Sequence, residues 1–316
     1  MREVDASEEH VFPRWLLRRY DLYRHSFTLS NGSSFNYSRL TVPCCRPCNE
    51  AGERDLEGPI SKAFRGGYEA VMRLDSRTIA LWCLKIYYGI RFKEHALKRD
   101  PRRPERGKIT SRTDLEEMNL LFMVLQGIRT EIVYSIEPWS VWIYKVKVPV
   151  DPAYRFSFAD LVDVNMFSIR IGDVGIIVLP QDFGLVRCNG PGDAFAAYSD
   201  KELHPQQFNQ LAADAAYLDI LRRVGVTYLT SFTTPPEVHY TGSMSARPWR
   251  EWNVEEYCRV AAFISKIPYE RWHPKPGLFW NLLADDHGNF RNIPIDELPI
   301  NPDPNAVWKT GPDRAP

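Results

Sequence analysis

The fold of the first part of this chain is decided by the stretch LTVPCCRPCN, residues 40–49. Its first residues end an alternating segment, Ser34–Val42, that is typical of a β-strand. A C-x-x-C turn follows, and we expect a helix to begin within Arg46–Asn49 and to run to about Glu57. Gly58-Pro59 is expected to interrupt that helix, with Pro59 starting another turn. The stretch therefore predicts a strand, a cysteine turn and a helix in direct succession.

A second stretch, EEHVFPRW at residues 8–15, lies upstream of the first. Between the two, Asn31-Gly32 predicts a hairpin turn because both residues tolerate a positive φ, and the first strand of that hairpin is expected near Ser26–Leu29. Residues 13–21 predict a short helix with Pro13 in its first turn. The Glu9-His10 pair therefore precedes a hairpin, and the cysteine turn follows it.

This order of an acid-His pair, a ribbon and a C-x-x-C-Asn turn that opens a helix resembles the HNH endonucleases, whose fold is a ββα-metal unit. The resemblance covers residues 8–66, about a fifth of the chain. It implies that Glu9 and Asn49 bind Mg²⁺ or Mn²⁺ through oxygen atoms, and that His10 is the general base that activates water. The implied protein is a metal-dependent DNA endonuclease of a restriction, defence or mobile-element kind.

Zinc-bearing relatives hold a structural Zn²⁺ ion between two C-x-x-C knuckles, because tetrahedral zinc needs four ligands. Here Cys45 and Cys48 form one knuckle, with Cys44 as a third candidate thiolate. The other knuckle is expected ahead of His10, where no cysteine stands. Either the sequence begins downstream of that knuckle or this version has lost it. We therefore expect this form to bind zinc weakly or not at all.

The family's middle Asn, which orients the catalytic histidine, is a second departure. It is expected about nine residues before Asn49, where Arg39-Leu40 stand, and Asn36 is out of register. The departures leave open a degenerate module that binds nucleic acid or protein without catalysis. Thiol chemistry at Cys44 or Cys45 is a third interpretation, although the sequence places no His-Asp partner for it.

Several other charged residues are candidates for the same site. Glu53 and Glu57 follow Asn49 at four-residue steps, so they either assist the metal or form an ordinary surface pair on one helical face. A set of basic side chains could bind phosphates, although charge runs of this kind also occur in solvated segments. The set is Arg18, Arg19, Arg46, Arg102, Arg103, Arg106 and Lys108.

The charge of the chain is zero overall but is unevenly distributed. Residues 1–112 hold 22 Lys and Arg against 14 Asp and Glu, and the remainder holds 18 against 26. A basic first third is what a module that binds a nucleic-acid backbone needs. DNA is therefore the expected partner.

The rest of the chain predicts two further segments. Asp75-Ser76 is expected to cap a long core helix from about Arg77 to Lys98, followed by a basic loop over Lys98–Arg112. Thr113–Glu116 forms a capping box for a helix that ends near Ile128.

From residue 131 the pattern changes to mixed strands and helices. Strands are expected at Val141–Val150, Thr227–Phe232 and Val238–Tyr240, a hairpin at Phe167–Leu179, an amphipathic helix at Gln206–Val224 and another helix at Val254–Ser265. The predicted class is α+β. The predicted organisation is an HNH-like ββα-metal module at 1–67, a helical segment with its basic loop at 68–130, an α+β domain of unknown role at 131–300 and a disordered tail at 301–316.

Composition restricts the location of the protein. The longest apolar run, Ile79–Ile90, is interrupted by Lys85 and is too short to span a bilayer. No apolar segment follows Met1 that would indicate a signal peptide. We expect a cytoplasmic protein without a membrane partner, in which the isolated Cys83, Cys188 and Cys258 are small apolar residues.

Overall fold

The computed structural model describes residues 6–29, 31–111, 118–161, 164–189, 192–222, 226–231, 233–242 and 249–300. It contains helices and mixed sheets, which confirms the α+β class. The chain divides into unit 1, formed by residues 1–135 with 229–239, and unit 2, formed by 136–228 with 240–316. The predicted segments 1–67 and 68–130 both fall within unit 1, and the predicted tail lies outside the described residues.

Unit 1 begins with two antiparallel strand pairs. β1 (Ala6–His10) pairs with β4 (Thr41–Cys45), and the predicted hairpin is formed by β2 (Ser26–Thr28) and β3 (Ser34–Asn36). Gly32 has a φ of +78°, as the turn between β2 and β3 requires. The short helix α1 (Arg14–Arg19) follows β1 and confirms the helix expected after Pro13.

The prediction of one strand over Ser34–Val42 is wrong. A 3₁₀ turn at Tyr37–Arg39 divides it, and Asn36 caps that turn by accepting a hydrogen bond from the backbone N–H of Ser38 at 2.9 Å. The turn redirects the chain, so that β4 pairs with β1 and not with β2. Asn36 is therefore a capping residue, and its Nδ2 donates to the carbonyl of Tyr23.

The predicted interruption at Gly58-Pro59 is also wrong. The chain stays helical through α2 (Arg46–Ala51), a π-helical turn (Gly52–Glu57) and α3 (Gly58–Arg65). Pro59 has no N–H to donate to the preceding turn, and the wider π turn accommodates it without ending the helix. The same turn brings Glu57 to the buried side, where 9% of the residue is exposed.

The core of unit 1 is organised around the long helix α5 (Ser76–Ala96), which follows the short α4 (Tyr68–Val71). Asp75 caps α5 as predicted by accepting from the backbone N–H of Thr78 at 2.8 Å. Trp82 of α5 stacks on Trp15 with ring centroids 6.2 Å apart. A methyl group at Gly89 would lie 2.8 Å from Val11, so α5 packs directly against the residue after β1.

After α5 the basic segment is closed by a bridge between Lys98 and Lys108, with a 3₁₀ turn at Pro104–Arg106. The predicted capping box at Thr113–Glu116 lies outside the described residues. The helix α6 (Asn119–Leu125) continues into a 3₁₀ turn that ends at Ile128, in agreement with the predicted end. β5 (Val133–Tyr134) ends this part of the unit.

Unit 2 contains a five-stranded sheet with the order β10-β6-β9-β8-β7. Its antiparallel strands are β6 (Ser140–Val146), β7 (Phe156–Leu161), β8 (Met166–Ile171) and β9 (Val174–Leu179). Two short helices follow, α7 (Leu185–Asn189) and α8 (Gly192–Ala196). The edge strand β10 (Glu202–Leu203) then pairs with β6 in parallel. The predicted hairpin at Phe167–Leu179 is confirmed. The predicted strand from Val141 ends at Val146, and β7 was not predicted.

The helices α9 (Pro205–Leu221), α10 (Val254–Ser265) and α11 (Tyr269–Trp272) complete unit 2. The bounds predicted for α10 are confirmed. The expectation that α9 is amphipathic is wrong, because Gln206, Gln207 and Gln210 are buried with its apolar residues. Their amide groups bind loop backbone, as Gln207 Nε2 does at the carbonyls of Leu282 and Arg291.

A second sheet has the order β11-β12-β5, with β11 at Val226–Ser231 and β12 at Glu237–Gly242. β12 runs parallel to β5 and pairs Val238 with Tyr134. Both strands agree with the sequence-based expectation. None of the helices in the described parts of the chain combines the length and apolar character that a bilayer crossing requires.

The Asp214–Tyr257 pair in unit 2 predicts a pH-dependent stability. The hydroxyl of Tyr257 donates to Asp214 Oδ1 at 2.7 Å, and burial raises the pKa of Asp214 to about 7. The folded protein therefore binds this proton more tightly than the unfolded chain does. The stabilisation is complete below the ordinary pKa of an aspartate and is lost as the pH rises through about 7.

We expect the melting temperature to fall between about pH 5 and about pH 8, and Asp214→Asn to make that fall smaller. Thermal unfolding followed by circular dichroism at several pH values measures the effect. The exposed Asp286 provides the control substitution Asp286→Asn, which should keep the wild-type slope. Equal slopes for the wild type and Asp214→Asn would contradict the prediction.

Candidate functional site

The β1–β4 ribbon sorts the predicted site residues onto two faces. In the observed register Glu9 lies opposite Val42 and His10 lies opposite Thr41. Since successive residues of a strand point to opposite sides, Glu9 shares its face with Ser7, and His10 shares the other face with Glu8. Glu9, the predicted metal ligand, and His10, the predicted general base, are therefore consecutive in the strand and lie on opposite faces of it.

Asn49 fastens the helix to the ribbon. Its Nδ2 donates to Ser7 Oγ and to the carbonyl of Glu8, both at 3.2 Å. Ser7 Oγ in turn donates to the carbonyl of Cys44 at 3.0 Å, which connects the two strands below the helix. These bonds occupy the amide nitrogen, so Oδ1 is the atom of Asn49 that is left as a metal ligand.

Glu9 and Glu57 meet at one ammonium group. Lys85 Nζ on α5 contacts Oε1 of Glu9 and Oε1 of Glu57, and the three side chains are only 11–15% exposed. Burial raises the pKa of Glu57, and the Lys85 ammonium opposes that shift. The pKa of Lys85 is raised because the attraction of the two carboxylates outweighs the effect of burial. Two carboxylates and one cation thus form a buried charged cluster, named here the Lys85 cluster.

His10 lies beside this cluster with a partly exposed ring. Burial and the neighbouring charge of Arg14 lower the pKa of His10 below its ordinary value. The imidazole is therefore neutral at neutral pH, which is the form that accepts a proton. Within the described ranges no hydrogen bond is made by this ring, and Asn36 binds Tyr23 and Ser38 instead of orienting it.

Two of the three clustered cysteines are in contact. The Sγ atoms of Cys45 and Cys48 are 2.7 Å apart, and Arg129 Nη1 lies 3.0 Å from Cys48 Sγ. The pKa of Cys45 is lowered, chiefly by hydrogen bonding with Cys48. Burial raises the pKa of Cys44 to about 11. The C-x-x-C turn thus holds a close thiol pair beside a guanidinium group, with Cys44 as a less acidic neighbour.

The predicted phosphate-binding residues are all exposed. Arg19 Nη1 also donates to the carbonyl of Phe64 at 2.8 Å, and Lys108 Nζ approaches His95 Nε2 at 3.3 Å. They lie on three segments of unit 1: Arg18 and Arg19 on α1, Arg46 at the start of α2, and Arg102, Arg103, Arg106 and Lys108 in the segment after α5.

Sequence reasoning missed Lys85 and Arg129 as parts of the site. The sequence does indicate a special position for Lys85, since it is the one charged residue in the otherwise apolar run Ile79–Ile90. No local sequence pattern indicates Arg129, because it is 81 positions away from Cys48. Of the two helical carboxylates considered, Glu53 is exposed and Glu57 is buried in the cluster.

No family model, curated protein or solved structure matches this chain. Within the described ranges, no group of three or more His, Cys, Asp and Glu side chains is arranged to hold a metal ion. The site is therefore interpreted from its own geometry.

The Lys85 cluster predicts a large effect of Lys85→Ala on stability. The substitution leaves Glu9 and Glu57 buried beside each other without a cation, which costs about 3–5 kcal/mol of unfolding free energy. Urea unfolding followed by tryptophan fluorescence measures the loss. Lys62 on α3 is exposed, so Lys62→Ala is the control and should stay within about 0.5 kcal/mol of the wild type.

A double variant tests the cause of the loss. Glu57→Gln combined with Lys85→Met removes one negative charge together with the cation, and should recover part of the stability. A loss below about 1 kcal/mol for Lys85→Ala would mean that the cluster behaves like a surface ion pair.

The cysteine turn predicts weak zinc binding. Cys45 and Cys48 supply two thiolates, whereas a closed structural zinc site needs four ligands. Purified protein should therefore contain far less than one zinc ion per chain after dialysis, measured by elemental analysis. A Cys45→Ser, Cys48→Ser double variant is the control for background metal, and one retained zinc ion per wild-type chain would contradict the prediction.

Proposed function

We propose that unit 1 is a metal-dependent endonuclease of the HNH type that hydrolyses phosphodiester bonds in DNA. The observation that carries the proposal is the hydrogen bond from Asn49 Nδ2 to the carbonyl of Glu8, across 41 positions of sequence. It joins the helix that opens after the cysteine turn to the strand that bears Glu9 and His10. A ribbon, a helix and the three residues that the chemistry needs therefore belong to one local unit.

His10 would act as the general base. Its pKa is lowered, so at neutral pH the ring is already in the neutral form that accepts a proton. Arg14, whose charge contributes to that shift, lies four residues further along the chain and would face the same anionic substrate. His10 would take a proton from the attacking water, and a nearby cation would attract the scissile phosphate.

Glu9, Glu57 and the Oδ1 atom of Asn49 would hold a Mg²⁺ or Mn²⁺ ion. Two carboxylates and an amide oxygen are the ligand types that these hard cations prefer. When bound, such an ion offsets negative charge on the leaving oxygen. Lys85 contacts both of these carboxylates and offsets one of their two negative charges, so metal binding requires that the ammonium group moves away from at least one of them.

DNA is the proposed substrate because the first third of the chain has an excess of eight positive charges. The exposed arginines on α1, at the start of α2 and after α5 would contact phosphates, and such contacts weaken as salt concentration rises. Unit 2 would supply recognition of a target or a signal. The proposed location is the cytoplasm.

The Lys85 cluster also favours a second candidate function. A fixed ammonium group between Glu9 and Glu57 supplies the positive charge that a divalent cation would otherwise provide. A module of this kind would keep the ribbon, the helix and the basic surface while having no catalytic metal. It would then bind nucleic acid or protein without cutting.

Plasmid nicking by the purified full chain tests the first proposal. Cutting should require Mg²⁺ or Mn²⁺ and stop in chelator, and His10→Ala should lower the rate by about 10²–10⁴-fold because the base is lost. Asn49→Ala should raise the metal concentration needed for half-maximal cutting. His25 is an exposed histidine of the same unit, so His25→Ala is the control and should cut like the wild type.

The outcomes separate the two candidates. Undiminished cutting by His10→Ala would show that the base lies elsewhere. Retained, salt-sensitive DNA binding by a wild-type protein that does not nick with either metal would favour the non-catalytic module.

A further inference from the structure

We propose that Cys45 and Cys48 form a redox-active dithiol that closes to an intrachain disulfide by exchange with a low-molecular-weight disulfide. The proposal concerns the C-x-x-C turn alone and does not rest on the proposed nuclease activity. It assigns to these residues a covalent modification in place of the structural zinc that their spacing suggests.

The two sulfur atoms are already close to bonding distance. Their separation is 2.7 Å, and the S–S bond of a disulfide is about 2.05 Å. Closure therefore needs a movement of roughly 0.7 Å between the two sulfur atoms, within a turn of four residues. Cys45 ends β4 and Cys48 lies in α2, so both ends of the turn are held by regular structure.

The same geometry argues against a metal-binding role for the pair. Two thiolates at 2.3 Å from a tetrahedral zinc ion are about 3.8 Å apart, roughly 1 Å further than the observed separation. Arg129 places a guanidinium group 3.0 Å from Cys48 Sγ, where a second cation would be repelled. A guanidinium group instead favours a thiolate, which is the reactive form in disulfide exchange.

The surroundings assign different roles to the two thiols. Hydrogen bonding with Cys48, together with the charge of Arg129, lowers the pKa of Cys45. Cys48 Sγ lies between Cys45 Sγ and the guanidinium group of Arg129, in reach of a mixed disulfide formed on Cys45. Both residues are partly exposed. Cys45 is therefore the attacking thiol, and Cys48 is the resolving thiol.

The reaction proceeds in two exchange steps. The Cys45 thiolate attacks one sulfur of a disulfide such as oxidised glutathione, forming a mixed disulfide and releasing one glutathione thiolate. Cys48 loses its proton to solvent, and its sulfur attacks Cys45 Sγ. The second step forms the Cys45–Cys48 bond and releases the second glutathione thiolate. The chain loses two electrons and two protons, and the oxidant is reduced to two thiols.

The test is a redox titration of the full chain in mixtures of reduced and oxidised glutathione, quenched with acid and alkylated. Trypsin releases residues 40–54 as one peptide, because the Arg46–Pro47 bond resists cleavage, and this peptide contains Cys44, Cys45 and Cys48. We expect two of its three labels to disappear together as the mixture becomes oxidising. Fragmentation should locate the link between Cys45 and Cys48, and excess reductant should restore both labels.

Variants separate this scheme from its alternatives. Cys44→Ser should still form the disulfide, whereas Cys48→Ser should stop at a glutathione adduct on Cys45. Arg129→Ala should slow the exchange, by about threefold for each unit by which the pKa of Cys45 rises. Arg73 is exposed, and Arg73→Ala is the matched control with an unchanged rate.

Two outcomes of the labelling experiment would overturn the proposal. One is full labelling of all three cysteines in the most oxidising mixture, and the other is a link that involves Cys44. Both measurements use wild-type protein, so they remain decisive if a cysteine variant fails to fold. Zinc that protects both thiols from labelling until a chelator is added would also overturn it, in favour of a metal site.

Discussion

The buried ammonium group of Lys85 is the interaction on which the described geometry of unit 1 depends. It contacts Glu9 of β1 and Glu57 of the π turn, and thereby connects the ribbon, the helical segment after the cysteine turn and α5. A buried carboxylate without a partner is strongly unfavourable. The relative positions of these three elements are therefore fixed by charge as well as by the apolar contacts around Trp15, Phe64 and Trp82.

This constraint also defines what the site can do chemically. The face of β1 that carries Glu9 turns towards Lys85, and the other face carries a neutral His10 whose proton affinity is lowered by burial and by Arg14. In the proposed nuclease, cation binding and proton transfer would therefore take place on opposite faces of one strand. The two proposed functions differ in the cation between the carboxylates. The nuclease would use a metal ion there, and the non-catalytic module would use the side chain of Lys85.

The cysteine turn is a second cluster of reactive side chains, separate from the Lys85 cluster. Its two thiols face each other across 2.7 Å, with Arg129 on the side of Cys48. A structural zinc ion would need the thiolates further apart and free of a competing cation. The Ser7 and Asn49 hydrogen bonds link β1, β4 and α2 next to this turn. The contacts that join the ribbon to the helix therefore use none of the sulfur atoms.

By itself the sequence determined the features that depend on local backbone preferences. The hairpin at Asn31-Gly32, the cap at Asp75, the hairpin around Gly172 and the bounds of Val254–Ser265 all follow from turn chemistry, capping and periodicity. The order of an acid-His pair, a ribbon and a C-x-x-C-Asn turn likewise predicts Glu9, His10 and Asn49 as candidate site residues. These signals are local because each is produced by residues only a few positions apart.

Only the tertiary structure decided which distant residues meet. The turn capped by Asn36 sends β4 to β1, the π turn before Pro59 buries Glu57, and the buried glutamines of α9 bind loops more than seventy positions away. Lys85 and Arg129 join the site through contacts 76 and 81 positions apart in sequence. Such contacts leave little local pattern, because a buried polar residue is stabilised by partners that the neighbouring sequence does not reveal.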